Sequence, residues 1–135
     1  VSWVTTSPLT KRLQIKPGQR VLTLGAPDDY RALLDPLPDA VTLQSEPDGV
    51  YDIVHLFVRS KADIDQYAPQ AIQSTKPGGV LWISYPKGGA KAGTDINRDN
   101  GWQTVSDAGW RGVAQISVDE TWSALRFRPT DEIGK

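Results

Sequence analysis

The run Asp52–Val58 (D-I-V-H-L-F-V) is almost continuously apolar, the pattern of a strand covered on both faces rather than of an alternating surface strand. It is predicted to lie in the middle of a sheet. From Ser60 to Thr75 the residues Ala62, Ile64, Tyr67, Ala68, Ala71 and Ile72 recur at intervals of three and four, which paints one face of a helix, with Pro69 as the place for a kink. Lys76-Pro77-Gly78-Gly79 stops that helix and Val80–Tyr85 (V-L-W-I-S-Y) is the next strand. Asp52–Tyr85 is therefore predicted to be one right-handed βαβ unit whose two strands are parallel and adjacent.

The flanks extend this pattern. Arg20–Leu24 (R-V-L-T-L) is a short strand closed by Gly25, and Pro27, Asp28 and Asp29 open a helix through Leu34 with Asp28 as its N-cap. Pro36 and Pro38 end it, Ala40–Gln44 is a second strand, and Glu46-Pro47-Asp48-Gly49 is a turn. Upstream, Thr10–Gln14 with Leu9, Leu13 and Ile15 forms a turn of amphipathic helix laid across the sheet, ended by Lys16-Pro17-Gly18. The same Lys-Pro-Gly precedes the strand at Val80, an echo too weak to count as a repeat. Downstream come a glycine and lysine loop (Pro86–Gly93), a helix over Asn97–Ala108, and two strands, Val113–Val118 and Trp122–Arg128, spaced as an antiparallel hairpin. The tail from Pro129 is polar and expected to be loose. The expectation is one α/β domain over residues 1–135, Rossmann-like, with a mostly parallel central sheet of about six strands, a lid segment over 1–15 and a tail over 129–135.

Composition narrows the chemistry. Fifteen basic residues against sixteen acidic ones leave a net charge of -1, so nothing draws the chain as a whole to phosphate backbones or anionic lipid, and neither nucleic acid nor membrane is an expected partner. No cysteine is present, which removes disulfides, thiolate nucleophiles and Cys-ligated zinc. With His55 as the one histidine, no metal site is expected. No segment is long and apolar enough for a signal peptide or a bilayer span, and the location expected by elimination is cytoplasmic.

In an open parallel sheet, ligands bind outside the carboxyl ends of the strands. Those ends deliver Gly25, Ala26, Asp28 and Asp29, then Glu46, then Arg59 and Ser60, then Tyr85 with Lys87. The hairpin turn adds Asp119, Glu120 and Trp122, and the loop after Lys87 brings Lys91, Thr94, Asp95 and Arg98. Such a mixed-charge rim can orient a small polar ligand, with Tyr85, Lys87, Asp95, Arg98, Asp119 and Trp122 on the substrate side. The competing account is that loop tips carry charge on any surface facing water. Lys87, just beyond a buried strand, can bind an anion or serve as a base, or can simply pair with Asp95 or Asp119. His55 lies inside an apolar run, which suits a hydrogen-bonded core histidine better than a general base. Asp119 and Glu120 are neighbours in a tight turn and point different ways. Of the five tryptophans, most are expected to fill the core, with Trp102, Trp110 or Trp122 left as candidates for a homo-oligomer contact.

Two stretches, K-P-G-Q-R-V-L-T-L-G (Lys16–Gly25) and K-P-G-G-V-L-W-I-S (Lys76–Ser84), together with the order of elements, resemble class I S-adenosylmethionine-dependent methyltransferases. W-I-S-Y-P-K and D-E-T-W-S-A-L-R-F-R are similar to a short bacterial family described only as a domain of unknown function. The resemblance implies a cofactor pocket around Gly25, Ala26, Asp28 and Arg59, with Glu46 placed to hold ribose hydroxyls and S-adenosylmethionine as the implied cofactor. The chain departs from the pattern in two ways. Leu24-Gly25-Ala26-Pro27-Asp28 offers one glycine and then a β-carbon and a proline ring where close backbone approach is needed. The stretch between Glu46 and Asp52 is too short for the usual extra helix and strand. The expectation is a methyltransferase-like domain with a degenerate cofactor loop, serving as a small-ligand-binding or interaction module. The alternatives are a small-molecule methyltransferase with an atypical loop and a homo-oligomeric structural partner.

Overall fold

The apolar run in the middle of the sequence builds the middle of the sheet, as the computed structural model, which describes residues 8–34, 37–88, 93–97 and 101–130, shows. β3 (Tyr51–Phe57) lies parallel between β1 (Arg20–Leu24) and β4 (Thr75–Pro86), with Ile53 opposite both Val21 and Val80. α3 (Lys61–Ser74) crosses from β3 to β4, so the βαβ unit stands as the sequence predicts. Outside it lie β2 (Thr42–Gln44), parallel to β1, and β6 (Trp122–Pro129), antiparallel to β4 and to β5 (Trp110–Ser117). The six-stranded order is β2-β1-β3-β4-β6-β5. Only β6 runs against the rest, because it is antiparallel to both of its neighbours.

Alternation along β3 and β4 divides the core between the two faces of this sheet. Val54, Leu56, Leu81, Ile83 and Tyr85 pack with Leu125 and Phe127 against Ile64, Ala68 and Ala71 of α3. Ile53, Phe57 and Trp82 pack on the other face with Trp122, beneath Leu9 and Leu13 around α1 (Pro8–Arg12) and Tyr30 and Leu34 of α2 (Tyr30–Leu34). The Trp82 indole N–H donates to the Leu13 carbonyl at 3.1 Å, which fastens the N-terminal segment across the sheet.

α3 starts where its sequence says it should. The Ser60 side chain accepts from the Asp63 amide at 3.2 Å, which satisfies one of the orphan donors of a helix start, and the Asp63 carboxylate accepts from the Arg59 amide just before the cap at 2.8 Å. The helix runs through Pro69, which sits on its exposed side.

Several boundaries move, each for a local reason. α2 begins at Tyr30 because the Tyr30 amide bonds back to the Pro27 carbonyl, so Asp28 lies in the turn and the cap position falls to Asp29. Ala40 takes a left-handed φ of 62°, and β2 therefore starts at Thr42 rather than Ala40. The helix expected over 97–108 is limited to α4 (Gln103–Asp107), after Gly101 at φ 106°, while residues 98–100 lie outside the described part. β5 starts at Trp110, three residues early. Pro129 still pairs with Trp110 and the Thr130 amide donates to the Gly109 carbonyl at 2.7 Å, so the chain is held two residues into the expected tail. The two Lys-Pro-Gly turns share a conformation, with Gly18 at φ 77° and Gly78 at φ 78°. The second lies within β4 as a bulge, since Tyr51 faces Thr75 but Ile53 faces Val80. Among the described residues no helix is long and apolar enough to cross a membrane.

Candidate functional site

The turn after β1 is the place where a cofactor would meet the backbone in this kind of sheet, and its one glycine has another partner. Gly25 holds φ 71°, and a β-carbon added to it would stand 3.0 Å from the Phe57 carbonyl oxygen. The missing side chain is thus what lets the end of β1 pass close to the end of β3. Ala26 and Pro27 follow, restoring a β-carbon and a ring.

Two shallow cavities flank this turn. One, of about 320 Å³, lies on the α3 side and is lined by Leu24, Gly25, Leu56, Phe57, Arg59, Asp63, Tyr67 and Gln70. Its polar residues are Arg59, Asp63, Tyr67 and Gln70, set beside the apolar Leu24, Leu56 and Phe57, a composition suited to a small polar ligand. The Arg59 guanidinium lies over the Trp122 ring, 5.1 Å from its centroid. The Arg59 carbonyl accepts from the Thr94 hydroxyl at 2.8 Å, which fixes the strand exit. The second cavity, of about 210 Å³, lies on the α2 side and includes Thr23, Ala26, Asp28, Arg31, Gln44 and Ser45.

The cofactor-side residues named from sequence are therefore divided. Gly25 and Arg59 line one cavity and Ala26 and Asp28 the other. Glu46 joins neither. It lines a separate surface depression with residues 43–48, because the short link from β2 to β3 turns back across the start of β1. Arg20 donates there to the Asp48 and Val50 carbonyls at 2.8 and 2.9 Å, and the Tyr51 hydroxyl donates to Gln44 Oε1 at 2.6 Å. Arg20 also lies over the Tyr51 ring at 4.3 Å.

The substrate-side residues are dispersed as well. Tyr85 is buried on the α3 face, edge-on to Trp102. Lys87 Nζ donates to the Ser117 hydroxyl at 2.7 Å, so its partner is neither Asp95 nor Asp119. Asp95 accepts from the Lys61 amide, and Asp119 accepts from the amides of Thr121 and Trp122, each at 2.8 Å. Those two carboxylates hold loops. Trp122 is buried against Phe57, edge-on at 5.1 Å. Arg98 lies outside the described residues.

Sequence reasoning missed Asp63, Tyr67 and Gln70. Their spacing of four and three on the first turns of the helix that leaves the central strand was a readable signal, since residues so spaced share one helix face beside the strand end.

His55 is fully buried, and its Nδ1 and Nε2 share hydrogen bonds of 2.5 Å with the Tyr30 hydroxyl and the Ser84 hydroxyl. Burial pushes the imidazole down to about 3 and the Tyr30 phenol upward from its ordinary value. A neutral ring has one donor and one acceptor nitrogen, and two rotatable hydroxyls satisfy both in either tautomer. This is the core histidine expected from the sequence.

Comparison with solved structures gives the same architecture. The fold is similar to a ribosomal protein L11 methylase from Lactobacillus delbrueckii subsp. bulgaricus, at TM-score 0.57 and 12% identity, covering 90% of this chain and 74% of that one. It is also similar to an S-adenosylmethionine-dependent methyltransferase from Thiobacillus denitrificans in complex with S-adenosyl-L-homocysteine, at TM-score 0.55 and 12% identity over 90% and 89% of the two chains. A third likeness is to DhpI in its complex with S-adenosylhomocysteine, at TM-score 0.54 and 14% identity over 90% and 82%. No protein-family model and no curated protein matches the sequence. The chain has a class I methyltransferase-like, Rossmann-like fold, and at these identities the likeness speaks to fold alone.

Proposed function

We propose that this domain is a methyltransferase-like module that binds a small polar ligand beside Gly25 and does not transfer methyl groups from S-adenosylmethionine. The observation that carries the reading is the contact between Gly25 and the Phe57 carbonyl. The only glycine of the turn is committed to chain packing, and the next two residues keep a ligand off the backbone. Arg59 and Asp63, a cation and an anion in one lining, add to this by suiting a small polar ligand. Asp63, Tyr67 and Gln70 supply acceptors and donors for its remaining polar atoms. Isothermal titration with S-adenosylmethionine and S-adenosylhomocysteine tests the proposal. No heat of binding is expected from either, and micromolar affinity for one of them overturns it.

A second reading, a small-molecule methyltransferase with an atypical loop, draws support from the neighbours whose structures hold S-adenosylhomocysteine. It needs Glu46 to swing from its surface depression to the ribose. Glu46→Ala abolishing cofactor binding supports that version, and unchanged affinity removes it.

A further inference from the structure

Three arginines gather on one face of the β5–β6 hairpin. Arg111 stands directly opposite Arg128, and Arg126, two residues along β6, stands opposite Ala114. Direct cross-strand partners share a face, and so do alternate residues of a strand. All three side chains therefore leave the sheet on one side, which is the α1 side because Arg126 is also the partner of Trp82 on β4. The position is near the amino ends of the parallel strands, at the edge opposite the Gly25 turn.

Nothing described in the molecule compensates this charge. Like charges directly opposite one another destabilise an antiparallel pair, and the one ion pair among the described residues is Lys76 with Asp52, elsewhere in the sheet. Arg126 Nε is buried and has no hydrogen-bond partner, although a buried donor left unmade is costly. Burial first, and the Arg128 charge second, push the Arg126 guanidinium below its ordinary value. Arg111 and Ala114 are exposed, which leaves the cluster open to solvent.

We propose that Arg111, Arg126 and Arg128 form a binding site for the phosphate group of a small ligand. A tetrahedral oxyanion accepts from several guanidinium forks at once, where a carboxylate has only two oxygens to offer, so phosphate is the better match to three arginines. One such group satisfies the buried Nε–H of Arg126 and cancels the repulsion between Arg111 and Arg128 together.

The test follows the arginine Nε–H resonances of the ¹⁵N-labelled protein during titration with inorganic phosphate, with acetate at matched ionic strength as the carboxylate arm. The Arg126 resonance is expected to shift saturably with phosphate and not with acetate. Arg111→Gln and Arg128→Gln are each expected to weaken phosphate binding about tenfold, the loss of one charge-assisted contact. Without phosphate, Arg128→Gln is expected to raise Tm, because it removes the repulsion, an effect a purely structural arginine does not produce. An Arg126 resonance that stays fixed up to about 10 mM phosphate, a weak limit for a specific site, overturns the proposal. So does an equal shift with acetate. Unchanged affinity in Arg111→Gln also overturns it, and that exposed substitution leaves the fold intact.

Discussion

The hydroxyl of Tyr30 lies 2.5 Å from Nδ1 of His55, and both side chains are buried beneath α2. With Ser84 on the other ring nitrogen, the one histidine of the chain has both nitrogens occupied inside the sheet. The ring also stacks on Phe57 at 4.3 Å, and Phe57 meets Trp122, over which Arg59 lies. A polar and aromatic chain thus runs from the floor of the sheet to the cavity beside Gly25, and it holds the strand ends that shape that cavity.

His55 gives the protein an acid-side instability. Its folded value of about 3 lies below the ordinary 6.5 because burial penalises the charged ring. Below pH 6.5 the unfolded chain takes up a proton that the folded one refuses, so stability present above that pH is lost as pH falls, by about 1.4 kcal/mol per unit until the folded group titrates. Between pH 7 and pH 5 the expected loss is about 2 kcal/mol, and it depends on the unfolded value alone so long as the folded one stays below 5. Urea unfolding at the two pH values measures it. The same loss in His55→Gln would mean that another group is responsible.

Gly25→Ala separates packing from ligand approach. The new methyl would sit 3.0 Å from the Phe57 carbonyl on a backbone at φ 71°, so stability is expected to fall by about 1–3 kcal/mol from left-handed strain and displacement of β3. Thermal unfolding reads this directly. A variant as stable as the parent would return Gly25 to the role of a ligand-facing glycine.

Much of this architecture was legible in the sequence, because burial imposes a pattern. The continuous apolar run at Asp52–Val58 pointed to a central strand, and the spacing of apolar residues from Ala62 to Ile72 marked α3. The first Lys-Pro-Gly turn marked the entry to β1, while the second fell inside β4, which already pairs at Thr75. The rim was less legible, since position along the chain does not fix where a side chain points. Tyr85 stands at a strand end, yet it shares parity with Leu81 and Ile83, and pleating turns it into the core. Parity could have been read from the sequence. The hydrogen bonds that tie Asp95 and Asp119 to loop amides could not, because they depend on where distant segments return.

Asp52 is expected to matter more than the lysine it pairs with. Its carboxylate accepts from the Arg20 amide at 2.7 Å as well as pairing with Lys76, and the Lys76 hydrogen bond, then the Arg20 amide, hold its carboxyl below the usual range. Lys76→Gln removes a half-exposed ion pair, worth about 0.5 kcal/mol. Asp52→Ala also strands a strand amide, at about 1–2 kcal/mol. Chemical denaturation of the two variants ranks them, and equal losses would show that the amide bond contributes nothing.

Trp82 is the fastener of the N-terminal segment. It is almost wholly buried in the α1-side cluster, and its indole N–H is the donor to the Leu13 carbonyl. Trp82→Phe keeps an aromatic ring but leaves a void and an unmet carbonyl, so a loss of about 2–4 kcal/mol is expected from the two effects together. Because Leu9, Leu13 and Ile15 share that cluster, the damage should be local before it is global. Hydrogen exchange is expected to show residues 9–15 losing protection while β3, held from the other face by α3, keeps most of its own. Uniform loss across the sheet would instead make Trp82 a general core residue with no special hold on α1.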